Sequence, residues 1–350
     1  MIWYNYYFSR IIFLFLFSLV LSWVLHALFL RFVRTLGMRN IEEIRWNSNQ
    51  KPAIGGLTFY LTFLFSLSYY AYLHSSEKLF TFSTLGLIGG STLSFLSGMY
   101  DDAFNTKPLL KAFSQILAGL IMVYTGQFFQ IVSIEAVDII LTVLWVFLMM
   151  NSVNMFDNMD GITASASIAT LTEMICILYL SGIWEFSFTF STVAIISALI
   201  SFLYFNKPKS KMFMGDTGTQ FLGFYLAFMT VFIFNHIDNS NNVKKLYLTG
   251  LMFLPFFTDT FWVIIHRLKR NKPPYIGGKD HSSHHMIYFG FNEHQVFAII
   301  SIISILSNLF AVLLYTYDFN PWIFILSIVF VLSYLVFVFY IMFLYHKRPY

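Results

Sequence analysis

Stretches of about 20 apolar residues recur from one end of this chain to the other. Each is long enough to cross roughly 30 Å of hydrocarbon as a helix. Eleven spans are expected, near residues 11–32, 53–73, 80–99, 109–123, 139–155, 162–180, 184–205, 217–234, 246–266, 295–315 and 323–345. The fourth is the weakest, because it contains Lys111 and Gln115 near its start. Only 11% of the residues are charged and 58% are hydrophobic. A soluble domain carries roughly a quarter charged residues, so that class is excluded. A transmembrane β-barrel needs alternating polarity, which these runs lack. The expected fold is all-α: one polytopic membrane helix bundle over residues 1–350, without linkers, low-complexity tracts or repeats.

The first apolar run has no small-residue cleavage site and only Arg10 before it, so it reads as a span and not as a cleaved signal peptide. The lone Cys176 excludes an intrachain disulfide. Orientation follows from the basic residues. With the amino terminus outside, the inner loops hold Arg31, Arg34, Arg39, Arg45, Lys51, Lys107, Lys111, Lys207, Lys209, Lys211, Arg267, Lys269, Arg270, Lys272, Lys279, Lys347 and Arg348. Only Arg10, Lys78, Lys244 and Lys245 remain outside. The net charge of +4 is therefore a membrane-topology signal and requires no nucleic-acid partner.

Three acidic loops fall on that same basic face: Tyr100-Asp101-Asp102, the segment from Asn151 to Gly161, and Met214-Gly215-Asp216-Thr217-Gly218. Carboxylates beside hydrocarbon are costly, and their default reading is a functional site with a cationic partner. Adjacent Asp101 and Asp102 point in different directions, so one can face a cation while the other takes a proton. Lys107 and Lys111 follow, placed to hold a phosphate. Asn151 and Asn154 share one helical face and offer neutral oxygen ligands to a hard cation. Asp157 and Asp160 repeat that spacing before Gly161. Helix capping alone would explain one or two of these residues, not four in register. Asp216 opens a span, where backbone N–H groups and the helix dipole suit anions.

The largest polar loop carries Pro273-Pro274, Gly277-Gly278 and His281-Ser282-Ser283-His284-His285. No Cys accompanies the imidazoles, so phosphate or sugar recognition is favoured over zinc. His281 with Lys279 and Arg270 is expected to form a cationic lid. Asp259, inside the ninth span, is expected to pair with a neighbouring helix or a basic residue such as Arg267. His26, His74, His236 and His346 read as structural or interfacial.

Lys51-Pro52 with Gly55-Gly56, Asp101-Asp102, the Asn151–Gly161 loop, Phe213-Met214-Gly215-Asp216-Thr217-Gly218, Pro255 with Asp259-Thr260, and the histidine cluster occur in this order. The ordered set resembles the polyprenyl-phosphate N-acetylhexosamine-1-phosphate transferases. The resemblance implies a bundle of ten or eleven helices with a cytoplasmic cleft in an inner or plasma membrane. It implies magnesium, or manganese in its place, on Asn154 and Asp216. It assigns catalysis to Asp101, Asp102 and Asp157, and substrate contacts to Lys51, Lys111, Asn151, Asp160, His281, His284 and His285. The implied partners are a UDP-N-acetyl sugar and a polyprenyl phosphate, with a second copy of the chain left open. The implied reaction moves GlcNAc-1-phosphate onto undecaprenyl phosphate and releases UMP, by direct displacement or through a covalent aspartyl-phosphate. The reading HSSHH, in place of three consecutive histidines, points to the GlcNAc-type branch over lipid I synthesis. A CDP-alcohol phosphotransferase lacks its signature here. A secondary transporter would show mid-span charges and inverted repeats, whereas these acids gather at one face.

Overall fold

The computed structural model describes residues 2–36, 51–74, 81–132, 134–183, 185–237, 241–275 and 277–344. Arg39, Arg45, Lys78, His346, Lys347 and Arg348 lie outside the described residues. So do the expected span ends at residues 80, 184 and 345 and the side chain of Arg34.

The described residues form thirteen α-helices and no sheet. In chain order these are α1 (Ile2–Leu36), α2 (Gly55–Leu73), α3 (Phe82–Phe104), α4 (Pro108–Tyr124), α5 (Glu135–Phe156), α6 (Ile162–Leu180) and α7 (Phe186–Asn206). They continue with α8 (Gly215–His236), α9 (Asn242–Met252), α10 (Leu254–Lys269), α11 (Ser282–Phe289), α12 (Glu293–Thr316) and α13 (Pro321–Phe339). One π-helical turn, Tyr340–Leu344, extends α13.

Every expected span coincides with a helix or a helix pair, but the count of eleven is not reached. Seven described helices are long and apolar enough to cross a membrane, or eight when α9 and α10 are taken as one. This is an integral membrane protein. The α2 and α3 sequences dilute their apolar residues with Ser, Thr, Tyr and Gly, and α4 has only 17 residues. The expected ninth span breaks by 80° between α9 and α10. Pro255 in the first turn of α10 has no N–H to continue the ladder from α9.

The core is built around α8. Its spanning window is fully buried, against about a fifth for the peripheral α1 and α13. A helix that is apolar all round belongs at the centre of a bundle, and α8 packs against α2, α3 and α5. The contact with α3 is close enough that a Cβ on Gly98 would meet the Asp216 carbonyl oxygen at 2.2 Å. Small residues on α3 thus set the helix spacing. The segment entering α2 is tied to the entry of α8 by Gly55 N–H to Phe213 O and Gly56 N–H to Met214 O, both 3.0 Å. A Cβ on Gly56 would meet Gly218 N at 2.1 Å, so this turn needs glycine for close approach. Packing therefore gathers the carboxyl ends of α3 and α5 and the amino ends of α4 and α8 at one end of the bundle.

Candidate active site

Those four helix ends enclose a cleft of about 1240 Å³. Asp101, Asp102, Lys107, Lys111, Gln115, Asn151, Asn154, Asp157, Asp216, Arg267 and His281 all line it. Eight sequence-predicted site residues are thus brought together: Asp101, Asp102, Lys111, Asn151, Asn154, Asp157, Asp216 and His281.

The paired aspartates diverge as expected but do unlike work. Asp102 reaches α8, where Oδ1 accepts from Asp216 N (2.9 Å) and Oδ2 from Thr217 N (2.8 Å) and Thr217 Oγ1 (2.6 Å). It satisfies backbone donors that the start of any helix leaves open. Asp101 turns to the cleft instead. Its Oδ1 accepts from Thr106 N (2.8 Å) and from the Thr106 hydroxyl, and its Oδ2 from Lys111 Nζ (3.1 Å). The same ammonium donates to Asp216 Oδ2 at 2.9 Å. Two carboxylates therefore share one lysine.

Asn154, three residues beyond Asn151 on α5, donates to the other Asp216 oxygen and to Thr219 Oγ1 (2.8 Å). Asn151 donates to Gln115 Oε1 (2.8 Å), and Gln115 donates to Gln220 Oε1 (2.9 Å). This amide chain fixes the face of α5 that carries Asn154. Among the described residues no group of three His, Cys, Asp or Glu stands in metal-holding geometry. Asp101, Asp216 and Asn154 nevertheless offer only hard oxygen donors, with one more carboxylate than ammonium. Magnesium takes one or two carboxylates and completes its shell with water and phosphate oxygens, so the residues present fit that ion.

The other sequence-predicted contacts are placed elsewhere. Lys51 and Asp160 do not line the cleft. They pair with each other at 3.4 Å, and Asp160 also accepts from Ser210 N (3.0 Å) and Oγ (2.8 Å). Lys51 donates to Ser210 Oγ as well (2.8 Å). Together they tie the α5–α6 turn to the α7–α8 connection. His284 and His285 are buried beneath the cleft wall. Burial drives the His284 imidazole down to about 3, with His281 adding to the effect, and lowers His285 too.

The expected cationic lid is built from a different arginine. Arg270 and Lys279 are exposed and line nothing in the cleft; the residue beside His281 is Arg267. Nor does Arg267 pair with Asp259. It forks onto Asp280, with Nε to Oδ2 and Nη2 to Oδ1 both at 2.8 Å. Burial alone would raise the Asp280 carboxyl, but this fork outweighs it and leaves the group below its ordinary value. Asp259 is held instead by His281 Nδ1 (2.8 Å), Ser282 N (2.7 Å) and Ser282 Oγ (2.6 Å). Asp280 was not named from the sequence, Arg267 was named only as a partner for Asp259, and Gln115 only as a polar residue in the fourth span. A usable signal for the first two was an arginine and an aspartate flanking the Pro273-Pro274 and Gly277-Gly278 turns.

The sequence model of glycosyl transferase family 4 matches residues 84–234, the stretch from α3 to α8 that supplies most of the cleft. The chain is 27% identical over 252 residues to a probable undecaprenyl-phosphate N-acetylglucosaminyl 1-phosphate transferase of Bacillus subtilis, covering 69% of each chain. The chain is thus similar to polyprenyl-phosphate N-acetylhexosamine-1-phosphate transferases. A phospho-N-acetylmuramoyl-pentapeptide-transferase of Campylobacter jejuni is 26% identical over 300 residues, 74% of this chain and 80% of that one. An undecaprenyl-phosphate alpha-N-acetylglucosaminyl 1-phosphate transferase of Yersinia pestis is 22% identical over 333 residues, 90% of this chain and 86% of that one. Both branches of the family therefore align with most of the chain.

Proposed function

We propose that this protein transfers N-acetylglucosamine-1-phosphate from its UDP-sugar to a polyprenyl phosphate such as undecaprenyl phosphate, releasing UMP. The product would start a lipid-linked glycan for the cell envelope. The cleft faces the cytoplasm of an inner or plasma membrane in this reading, as the Lys and Arg bias requires. The observation that carries it is the convergence of Asp101 and Asp216 on Lys111, beside Asn154, at the membrane face of a cleft large enough for a sugar nucleotide.

Asn154 and Asp216 would hold magnesium, with Asp101 at its edge. When bound, that ion would neutralise diphosphate charge in the transition state. Lys111 already faces both carboxylates and is placed to hold a phosphate oxygen between them. Lys107 lines the same cleft and adds a second positive charge. Asp101, with an oxygen turned to the cleft, is the better placed of the paired aspartates to accept a proton from the lipid phosphate. Asp102 is less suited, since both its oxygens cap the start of α8 and taking a proton there would give up that cap. Asp157 also lines the cleft and would orient the donor. The acceptor's long apolar chain would remain in the bilayer against the exposed apolar faces of the helices.

The test uses purified full-length protein, undecaprenyl phosphate, magnesium and a panel of radiolabelled UDP-N-acetyl sugars. Label in the organic-extractable lipid with matching UMP release is the expected result, highest with UDP-GlcNAc. A folded, monodisperse protein that transfers no label from any donor would overturn the reading.

A further inference from the structure

The carboxyl end of α10 and the start of α11 are joined by a loop whose two ends meet on one side chain. Arg267 Nη1 donates to the Pro274 carbonyl (2.6 Å) at the start of the loop. Nε and Nη2 form the bidentate fork on Asp280 at its end. Nη2 also lies 3.5 Å from His281 Nε2, the nitrogen opposite the one engaged by Asp259. Arg267 is only 4% exposed, and the fork commits the planar edge with which arginine grips a phosphate. Between the two anchored ends, Pro274, Tyr275, Gly277 and Gly278 line the cleft, and Tyr275 is 71% exposed at its mouth.

We propose that Arg267 is a positioning residue: it closes the 274–280 loop into a fixed wall of the cleft and aims His281, without itself binding substrate. The inference rests on the transferase reading for its kinetic consequences, not for its structural one. The loop carries Pro274, Gly277 and Gly278, and its Tyr275 is largely exposed. With both ends tied to one buried group, its ordering is completed before a ligand arrives and does not weaken binding. Lysine could not take the place of Arg267, because a single ammonium cannot hold both Asp280 oxygens and the Pro274 carbonyl in one plane.

The test compares full-length wild type with Arg267→Gln, Arg267→Lys, Asp280→Asn and the Arg267→Gln/Asp280→Asn double variant. Amide hydrogen exchange in detergent reads the loop directly and needs no activity. Exchange in residues 274–281 should rise about tenfold in each single variant, with α3, α5 and α8 unchanged. In the transfer assay the KM for the sugar nucleotide should rise about tenfold, with kcat within about twofold. The double variant should be no worse than the singles, because both remove one shared contact. Unchanged exchange in Arg267→Gln would overturn the proposal whatever the kinetics. So would additive losses in the double variant, or near-normal KM in Arg267→Lys, either of which would make Arg267 a direct phosphate ligand. A wild-type protein that transfers nothing but shows the expected exchange pattern sinks the transferase reading and leaves the staple standing.

Discussion

Two pairs of carboxylates in this protein sit at the same end of the bundle and are compensated differently. Asp101 and Asp216 share a single ammonium, at 3.1 and 2.9 Å from Lys111. Asp259 and Asp280 each have a partner to themselves, the His281 imidazole at 2.8 Å and the Arg267 fork at 2.8 Å. Carboxylates removed from water persist only when charge and hydrogen bonds compensate them. The second pair meets that condition from within the chain, so it is a closed scaffold. The first is short of one positive charge and opens on the cleft. A deficit of that kind, and not the mere presence of acids, distinguishes a place for a cation from a place that holds a loop.

The comparison breaks most readily at Asp216. Asp216→Asn should lower transfer by at least about 10³-fold, since it removes transition-state charge stabilisation. Yet it should leave the thermal midpoint without magnesium unchanged or higher, because one of two crowded carboxylates is gone. Added magnesium should raise the midpoint of wild type and not of the variant, by the linkage between binding and stability. Asp259→Asn should behave in the opposite way, costing about 3 kcal/mol of stability because a buried partner of His281 is lost. Thermal or denaturant unfolding in detergent reads both. Equal destabilisation by the two substitutions would end the distinction between open and closed pairs. A smaller effect belongs to Asp102, whose oxygens take two backbone N–H groups and a hydroxyl at the start of α8. Asp102→Asn should cost about 1 kcal/mol of stability, the worth of a helix cap, with transfer reduced less than in Asp216→Asn.

Much of this arrangement was legible in the sequence, for reasons that are physical. Asp101, Asn154 and Asp216 lie at junctions between apolar helices and polar loops, so their segments revealed both their depth and their shared face. Asn151 and Asn154 kept their helical spacing and line one cleft. The partners were harder to read. Asp160 pairs with Lys51, 109 residues away, and Asp259 with His281 rather than Arg267; sequence spacing carries no record of such long-range matches. The count of eleven spans is not confirmed, because the Ser, Thr and Gly with which α3 approaches α8 dilute its hydropathy. One acid deep inside an expected span also escaped notice. Glu173 lies inside the apolar run of α6, is 2% exposed, and has no hydrogen-bond partner on either oxygen. The acids therefore do not all gather at one face, although those lining the cleft do.

Acid should separate the two pairs further, through the histidine end. The folded protein keeps His284 neutral down to about 3 by burial and by the nearby His281, while an unfolded chain protonates it near 6.5. Between those values the unfolded state binds the extra proton, so stability falls as pH drops below 6.5, by at most about 1.4 kcal/mol per pH unit for one such group. His285 is lowered as well and acts in the same direction. Asp280 works in a different window. Its carboxyl is held below its ordinary value, so the stability it contributes is intact above that value and is lost only as pH falls through its lower folded one. Between pH 7.5 and 5 the slope should therefore come from the imidazoles, and the loss should appear first as faster hydrogen exchange in residues 274–289. His284→Asn, which keeps an acceptor for the His281 N–H (3.4 Å in the native chain), should flatten that slope while lowering the midpoint at neutral pH. A wild-type midpoint that stays level from pH 7.5 to 5 would show that protons enter this region without cost, and the histidine end would then be as open to water as the cleft it walls.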